Sequence, residues 1–139
     1  MTAFQSIADP AARSAFADAV RFDARGLVPV VAQQHDSGEV LMMAYMNRES
    51  LLETLETGRV CYFSRSRGGL WRKGETSGQQ QHLVDLRLDC DGDTLLALVD
   101  QHGVACHTGR RNCFFVGLRD GRLVELTQPL VSPEELYKK

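Results

Sequence analysis

The segment Leu88–Phe115, LDCDGDTLLALVDQHGVACHTGRRNCFF, constrains this chain more than any other. Three cysteines, three closely spaced aspartates, two histidines and two arginines fall within its 28 residues. Thiolates suit borderline-soft ions such as zinc, whereas carboxylates without sulfur or imidazole suit hard ions such as magnesium. One stretch of backbone thus carries ligands for two kinds of metal.

A chain of 139 residues can bury one core, so a single domain is expected. With 16 basic and 18 acidic side chains, the net charge of -2 supplies no general attraction to nucleic acid or an anionic membrane. Any anionic ligand must be held by a local basic cluster. No apolar run is long enough to span a bilayer and the N-terminus lacks the apolar region of a signal peptide, which predicts a cytoplasmic protein. In that reducing compartment the four cysteines are expected to be ligands, reactive groups or core residues rather than disulfides.

Asp9 to about Val20 reads as a short helix, with Asp9 as cap and Pro10 at the first helical position. Leu27–Ala32 and Val40–Met46 are β-rich runs separated by a His35–Gly38 turn, the pattern of a hairpin. Asn47 caps a helix over Arg48–Thr57, and Gly58 stops it. Val60–Phe63 forms a third strand, in which Cys61 is a core thiol. Further strands are expected at His82–Leu88, Leu95–Val99, Phe114–Leu118 and Leu123–Leu126, with a last helical turn in SPEELYKK. The expected fold class is α+β, strand-rich and mainly antiparallel, with one or two helices.

Between Ser64 and Gly78 the chain changes to SRSRGGLWRKGETSG, rich in basic, hydroxyl and glycine residues. A solvated hairpin loop would have this composition. So would a ligand loop, because glycines let backbone amides approach an anion and Arg65, Arg67, Arg72 and Lys73 offer charge-assisted bonds to phosphate. Trp71 can stack on a base or fill core space.

Cys90, Cys106 and Cys113 do not have the paired C-x-x-C spacing of structural zinc modules. Three thiolates leave a fourth position for water, the arrangement of a catalytic zinc, unless His102 or His107 closes the site. Because His107 adjoins Cys106, simultaneous ligation is awkward, and His107 is read instead as an acid-base group. Asp89, Asp91 and Asp93 alternate with Cys90 and Gly92, so in an extended backbone carboxylates and thiol would face opposite ways. Carboxylates so close call for a hard cation. Thr94, where an EF-hand loop requires glycine, excludes that motif. With Arg65, Arg67, Lys73, Ser77, Arg110 and Arg111 nearby in sequence, these ligands point to a metal-dependent hydrolase for a phosphorylated small molecule.

GLVPVVAQ, VLMMAYMNRESL, TGRVCYFSRSRGGLWRKGETSG, LDCDGD and ACHTGRRNCFF, taken together between about Phe22 and Phe115, resemble the phosphoribosyl-AMP cyclohydrolase family of histidine biosynthesis in order and spacing. The resemblance implies zinc on Cys90, Cys106 and Cys113 and magnesium on Asp89, Asp91 and Asp93. It implies an intertwined homodimer, with each zinc held by Cys90 of one subunit and Cys106 and Cys113 of the other. The implied reaction adds water at C6 of the purine of phosphoribosyl-AMP and breaks the N1–C6 bond. His107, then Lys73 and Glu75, are the candidates for proton transfer; Arg65, Arg67, Arg72 and Ser77 for phosphate or ribose; and Trp71 for a wall of the base pocket. Gln79 stands where many members carry asparagine or histidine, and residues 1–21 form an N-terminal extension without a counterpart. Some relatives carry a C-terminal pyrophosphohydrolase domain, and the preceding pathway step is here expected of another protein.

Two other readings compete. A zinc-dependent purine deaminase would show H-x-E and P-C-x-x-C signatures, and neither occurs. A zinc-stabilised RNA-binding module would need a basic face and stacking aromatics, against a net acidic chain with 7% aromatic residues.

Overall fold

A computed structural model describes residues 9–137. Helix α1 (Pro10–Ala19) starts where the side chain of Asp9 accepts the amide of Ala11, and helix α2 (Arg48–Thr57) starts on a capping box between Asn47 and Ser50. Gly58, in the left-handed conformation at φ 75°, ends α2. The first eight residues of the N-terminal extension, and the last two of the tail, lie outside the described residues.

Six strands form one sheet: β1 (Val28–Gln34), β2 (Val40–Met46), β3 (Cys61–Ser64), β4 (Gly69–Arg72), β5 (Gln81–Leu88) and β6 (Leu95–Gln101), in the order β4-β3-β2-β1-β6-β5. Every pairing is antiparallel except β1 with β6, which run parallel. The sheet curls until Arg59, just before β3, bridges His82 on β5, with Val60 N donating to Gln81 O at 3.1 Å. The α+β, mainly antiparallel expectation holds. The parallel contact pairs residues 65 positions apart, such as Val30 with Leu95, which local patterning does not reveal.

Strict alternation in β1 turns Val28, Val30, Ala32 and Gln34 inward. Val28, Val30 and Ala32 meet Leu95, Ala97 and Val99 of β6 and, from the helices, Ala17, Leu51 and Leu55 in a continuous core. Burying Leu51 and Leu55 stabilises by about 1.5–3 kcal/mol each. Cys61 is fully buried, as expected of a core thiol.

The stretch Ser64–Gly78 is not one loop, because β4 lies within it and pairs with β3. Trp71 is therefore a strand residue, packed against Tyr62 with ring centroids 5.5 Å apart. A separate two-stranded sheet follows: β7 (Val116–Arg119) and β8 (Arg122–Glu125), joined at Asp120 and Gly121, both at positive φ as a tight hairpin turn requires. The chain ends its described course in α3 (Pro133–Leu136), whose Leu136 is buried.

Candidate active site

The three aspartates converge. Asp89 closes the turn between β5 and β6, its amide donating to Thr94 O at 3.0 Å and its Oδ1 accepting from Asp93 N at 3.0 Å. Asp89, Asp91 and Asp93 each present a carboxylate oxygen within 4.8 Å of the others. Crowding by Asp93, with desolvation and Asp89 adding to it, raises the Asp91 carboxyl pKa. Desolvation also pushes Asp89 up, but the amides of Asp93 and Thr94 outweigh it and hold that carboxyl low. The convergence comes from a tight turn in which Gly92 takes positive φ, a turn that the Asp91–Gly92 pair signals in the sequence.

The thiols divide differently. Cys106 is buried and Thr108 Oγ1 donates to its sulfur at 3.1 Å. Cys113 is pinned by its amide to Leu41 O at 2.7 Å. Burial, and then the neighbouring Cys106 sulfur, push the Cys113 thiol up to about 12. Cys90 is exposed in the aspartate turn, before β6, whereas Cys106 follows the other end of that strand. Seven residues of β6 at about 3.3 Å each separate the two by roughly 20 Å. Among the described residues the aspartates are the one set of three potential donors gathered closely; the three cysteines of one chain do not meet.

Lys73, at the end of β4, reaches the thiol loop. It is buried, donates from Nζ to Ala105 O at 2.6 Å and lies over the Trp71 ring at 5.2 Å. Burial lowers its ammonium pKa, against the pull of Cys113 and Cys106. His107 is exposed beside Cys106. Glu75 and Ser77 line a cavity of about 250 Å³ with Arg67, Trp71 and Lys73. Arg65 stacks over Tyr45 at 4.1 Å in a separate cavity.

Three arginines are already engaged. Arg72 makes a paired bridge to Glu53 of α2, both bonds 2.8 Å. Arg110, buried, bonds Thr127 O at 3.0 Å and Glu125 at 2.8 Å and lies over Phe115. Arg111 bonds Gln34 Oε1 at 2.9 Å and Gln101 O at 3.1 Å. Arg72 thus ties β4 to α2, and Arg110 and Arg111 fasten loops; sequence reading offered the same three side chains to substrate.

Sequence reading overlooked the buried amides that hold the loop before Cys106. Tyr62 Oη donates to Gln81 Oε1 at 2.6 Å, Gln81 Nε2 to Gln101 Oε1 at 2.8 Å, and Gln101 Nε2 to His102 O at 2.9 Å. Gln79 Oε1 accepts from Val104 N at 2.9 Å, so this residue supports the loop. The available signal was a glutamine at inward-facing parity in β5 and another in β6, where an apolar residue would be expected.

A curled α+β sheet with a carboxylate triad, paired thiols and cationic loops at its strand ends is the framework of a small hydrolytic enzyme. The phosphoribosyl-AMP cyclohydrolase family model matches residues 42–115, which include Cys90, Cys106 and Cys113 and Asp89, Asp91 and Asp93. The chain belongs to the phosphoribosyl-AMP cyclohydrolase family. It is 70% identical over 120 residues to the phosphoribosyl-AMP cyclohydrolase of Paramagnetospirillum magneticum, covering 86% of this chain and 91% of that one. The Rhodospirillum rubrum protein of the same name is 71% identical over 121 residues (86% and 84%), and that of Granulibacter bethesdensis 67% over 121 residues (86% and 94%). The chain is thus a hydrolase of histidine biosynthesis acting on a cyclic amidine C–N bond. Among the described residues no helix is long and apolar enough to cross a membrane.

Proposed function

We propose that this protein hydrolyses the N1–C6 bond of 1-(5-phosphoribosyl)-AMP to give the formimino-AICAR ribonucleotide, in the cytoplasm, using zinc and magnesium. The observation that carries the metal requirement is the donor geometry: three carboxylates gathered within 4.8 Å in one turn, and the Cys106 and Cys113 sulfurs side by side in one loop. Asp89, Asp91 and Asp93 fit a hard cation, and Cys106 and Cys113 fit zinc. Since β6 separates Cys90 from that pair, a homodimer in which a second copy supplies Cys90 is the arrangement that assembles three thiolates. Bound there, zinc would supply an activated water at neutral pH and magnesium would neutralise phosphate charge.

The chain's own residues supply the rest. His107, exposed beside Cys106, moves the proton to the departing ring nitrogen, and Lys73 and Glu75 are the alternative proton carriers. Lys73 also ties the end of β4 to the loop of Cys106. Arg65, Arg67 and Ser77 receive phosphate or ribose, and Trp71 bounds the base. The engaged side chains of Arg72, Arg110 and Arg111 act by holding these loops in position.

The test is turnover of phosphoribosyl-AMP by purified protein, before and after chelation, with each metal restored singly and together. Ring opening only with both ions is the expected result. A folded, metal-replete protein that leaves the substrate intact would refute the assignment.

A further inference from the structure

The C-terminal segment is built onto the thiol loop. Leu130 N donates to Gly109 O at 2.9 Å and Val131 N to the same oxygen at 3.3 Å, while Arg110 holds Thr127 O and Glu125. Gly109 lies at φ +88°, and a Cβ there would collide with Val131 O, so the contact requires glycine. From this anchor the chain passes through α3, buries Leu136 and brings Tyr137 into the wall of the cavity formed by Arg67, Lys73, Glu75, Thr76 and Ser77. Both anchor and wall combine parts inside the family-matched region 42–115 with parts beyond it.

The chemistry of that cavity is specific. Neither Arg67 nor Lys73 has a carboxylate partner among the described residues. Lys73 is 7% exposed and gives one hydrogen bond, to Ala105 O, leaving ammonium donors over. Two cations and the hydroxyls of Thr76 and Ser77 suit a phosphate monoester, and the Glu75 carboxylate suits the diol of a sugar. At about 250 Å³ the cavity falls below the ~300–1,000 Å³ of pockets that enclose a drug-sized ligand, which fits one sugar phosphate better than a whole nucleotide.

We propose that Tyr137 closes this cavity as a binding site for one phosphoribosyl group, its ring packing against the sugar while Arg67 and Lys73 take the phosphate. The assignment to phosphoribosyl-AMP rests on the proposed function; the sugar-phosphate site itself does not. Because the C-terminal segment is fastened to Gly109 and Arg110, the loop carrying Cys106 and His107 and the wall carrying Tyr137 are positioned together.

Trp71, the one tryptophan of the chain, lines the cavity and reports its occupancy by fluorescence. Ribose 5-phosphate titrated into the full chain is expected to give a saturable change in Trp71 emission. Tyr137→Phe should bind within about twofold of the natural protein, and Tyr137→Ala about tenfold more weakly, the loss of one well-packed aromatic contact. Circular dichroism checks that both variants fold. With phosphoribosyl-AMP, Tyr137→Ala should raise KM while kcat and zinc content stay within about twofold. No saturable signal in the natural protein, unchanged affinity in Tyr137→Ala, or equal losses in Phe and Ala would each overturn the proposal. Binding of ribose 5-phosphate without turnover of phosphoribosyl-AMP would support the cavity and reject the larger functional reading.

Discussion

Two residues show how surroundings set the chemistry of a side chain. Burial, reinforced by Glu53, pushes the Cys61 thiol up to about 12, so it stays protonated and unreactive at ordinary pH. Cys90 is exposed. Brief maleimide treatment of chelated protein at pH 8 is therefore expected to label Cys90 and leave Cys61 unmodified by peptide mapping; equal labelling would contradict the packing. Asp91 is destabilised chiefly by Asp93. Asp91→Asn should abolish the rise in melting temperature that magnesium gives the metal-free protein. A variant that keeps the full magnesium-dependent rise would remove Asp91 from the ion site.

At the scale of elements, Arg72 links β4 to α2 through Glu53. The paired bonds from Arg72 hold the Glu53 carboxyl below its usual range, against a smaller opposing effect of burial. A carboxyl whose folded pKa is depressed contributes stability above its unfolded pKa and loses it as pH falls through the folded value. The contribution is thus complete above about 4.5 and disappears in more acid solution. Glu53→Gln is expected to cost about 0.5–1 kcal/mol at pH 7, with the difference from the natural protein smaller at pH 3. Denaturant titrations at both values measure it, and a pH-independent difference would assign the loss to packing instead. Element positions were largely legible: Val40–Met46 and Arg48–Thr57 coincide with β2 and α2, because alternation, the Asn47 cap and the Gly58 stop are local signals. Strand β4 was hidden because arginines and paired glycines obscure its alternation, and its partner β3 supplies the pairing that defines it.

For the whole molecule, the β7–β8 hairpin stands out by its uncovered apolar side chains. Val116, Leu118 and Leu123 are 54%, 66% and 77% exposed, and an isolated two-stranded sheet is marginal in water. The proposed homodimer gives this surface an occupant, a second copy. Leu118→Glu combined with Leu123→Glu is expected to yield monomers in sedimentation, with zinc binding reduced by at least about tenfold as the shared thiolate set is lost. A double variant that remains dimeric with full zinc would exclude the hairpin from the interface.

By itself the sequence determined the fold class, most helix and strand positions and which donor groups are on offer, since periodicity, caps, turn residues and donor chemistry are properties of neighbouring residues. It also carried the family resemblance, because the ligands keep their order and spacing. Only the tertiary structure decided which donors meet. The aspartates converge through a turn, whereas β6 holds Cys90 far from Cys106 and Cys113. It likewise decided that Arg72 ties β4 to α2, that Arg110 and Arg111 brace loops and that Tyr137 enters the cavity wall. Their side-chain partners Glu53, Glu125 and Gln34 lie 15 or more residues away, and such pairings follow from how the sheet curls, which local sequence does not encode.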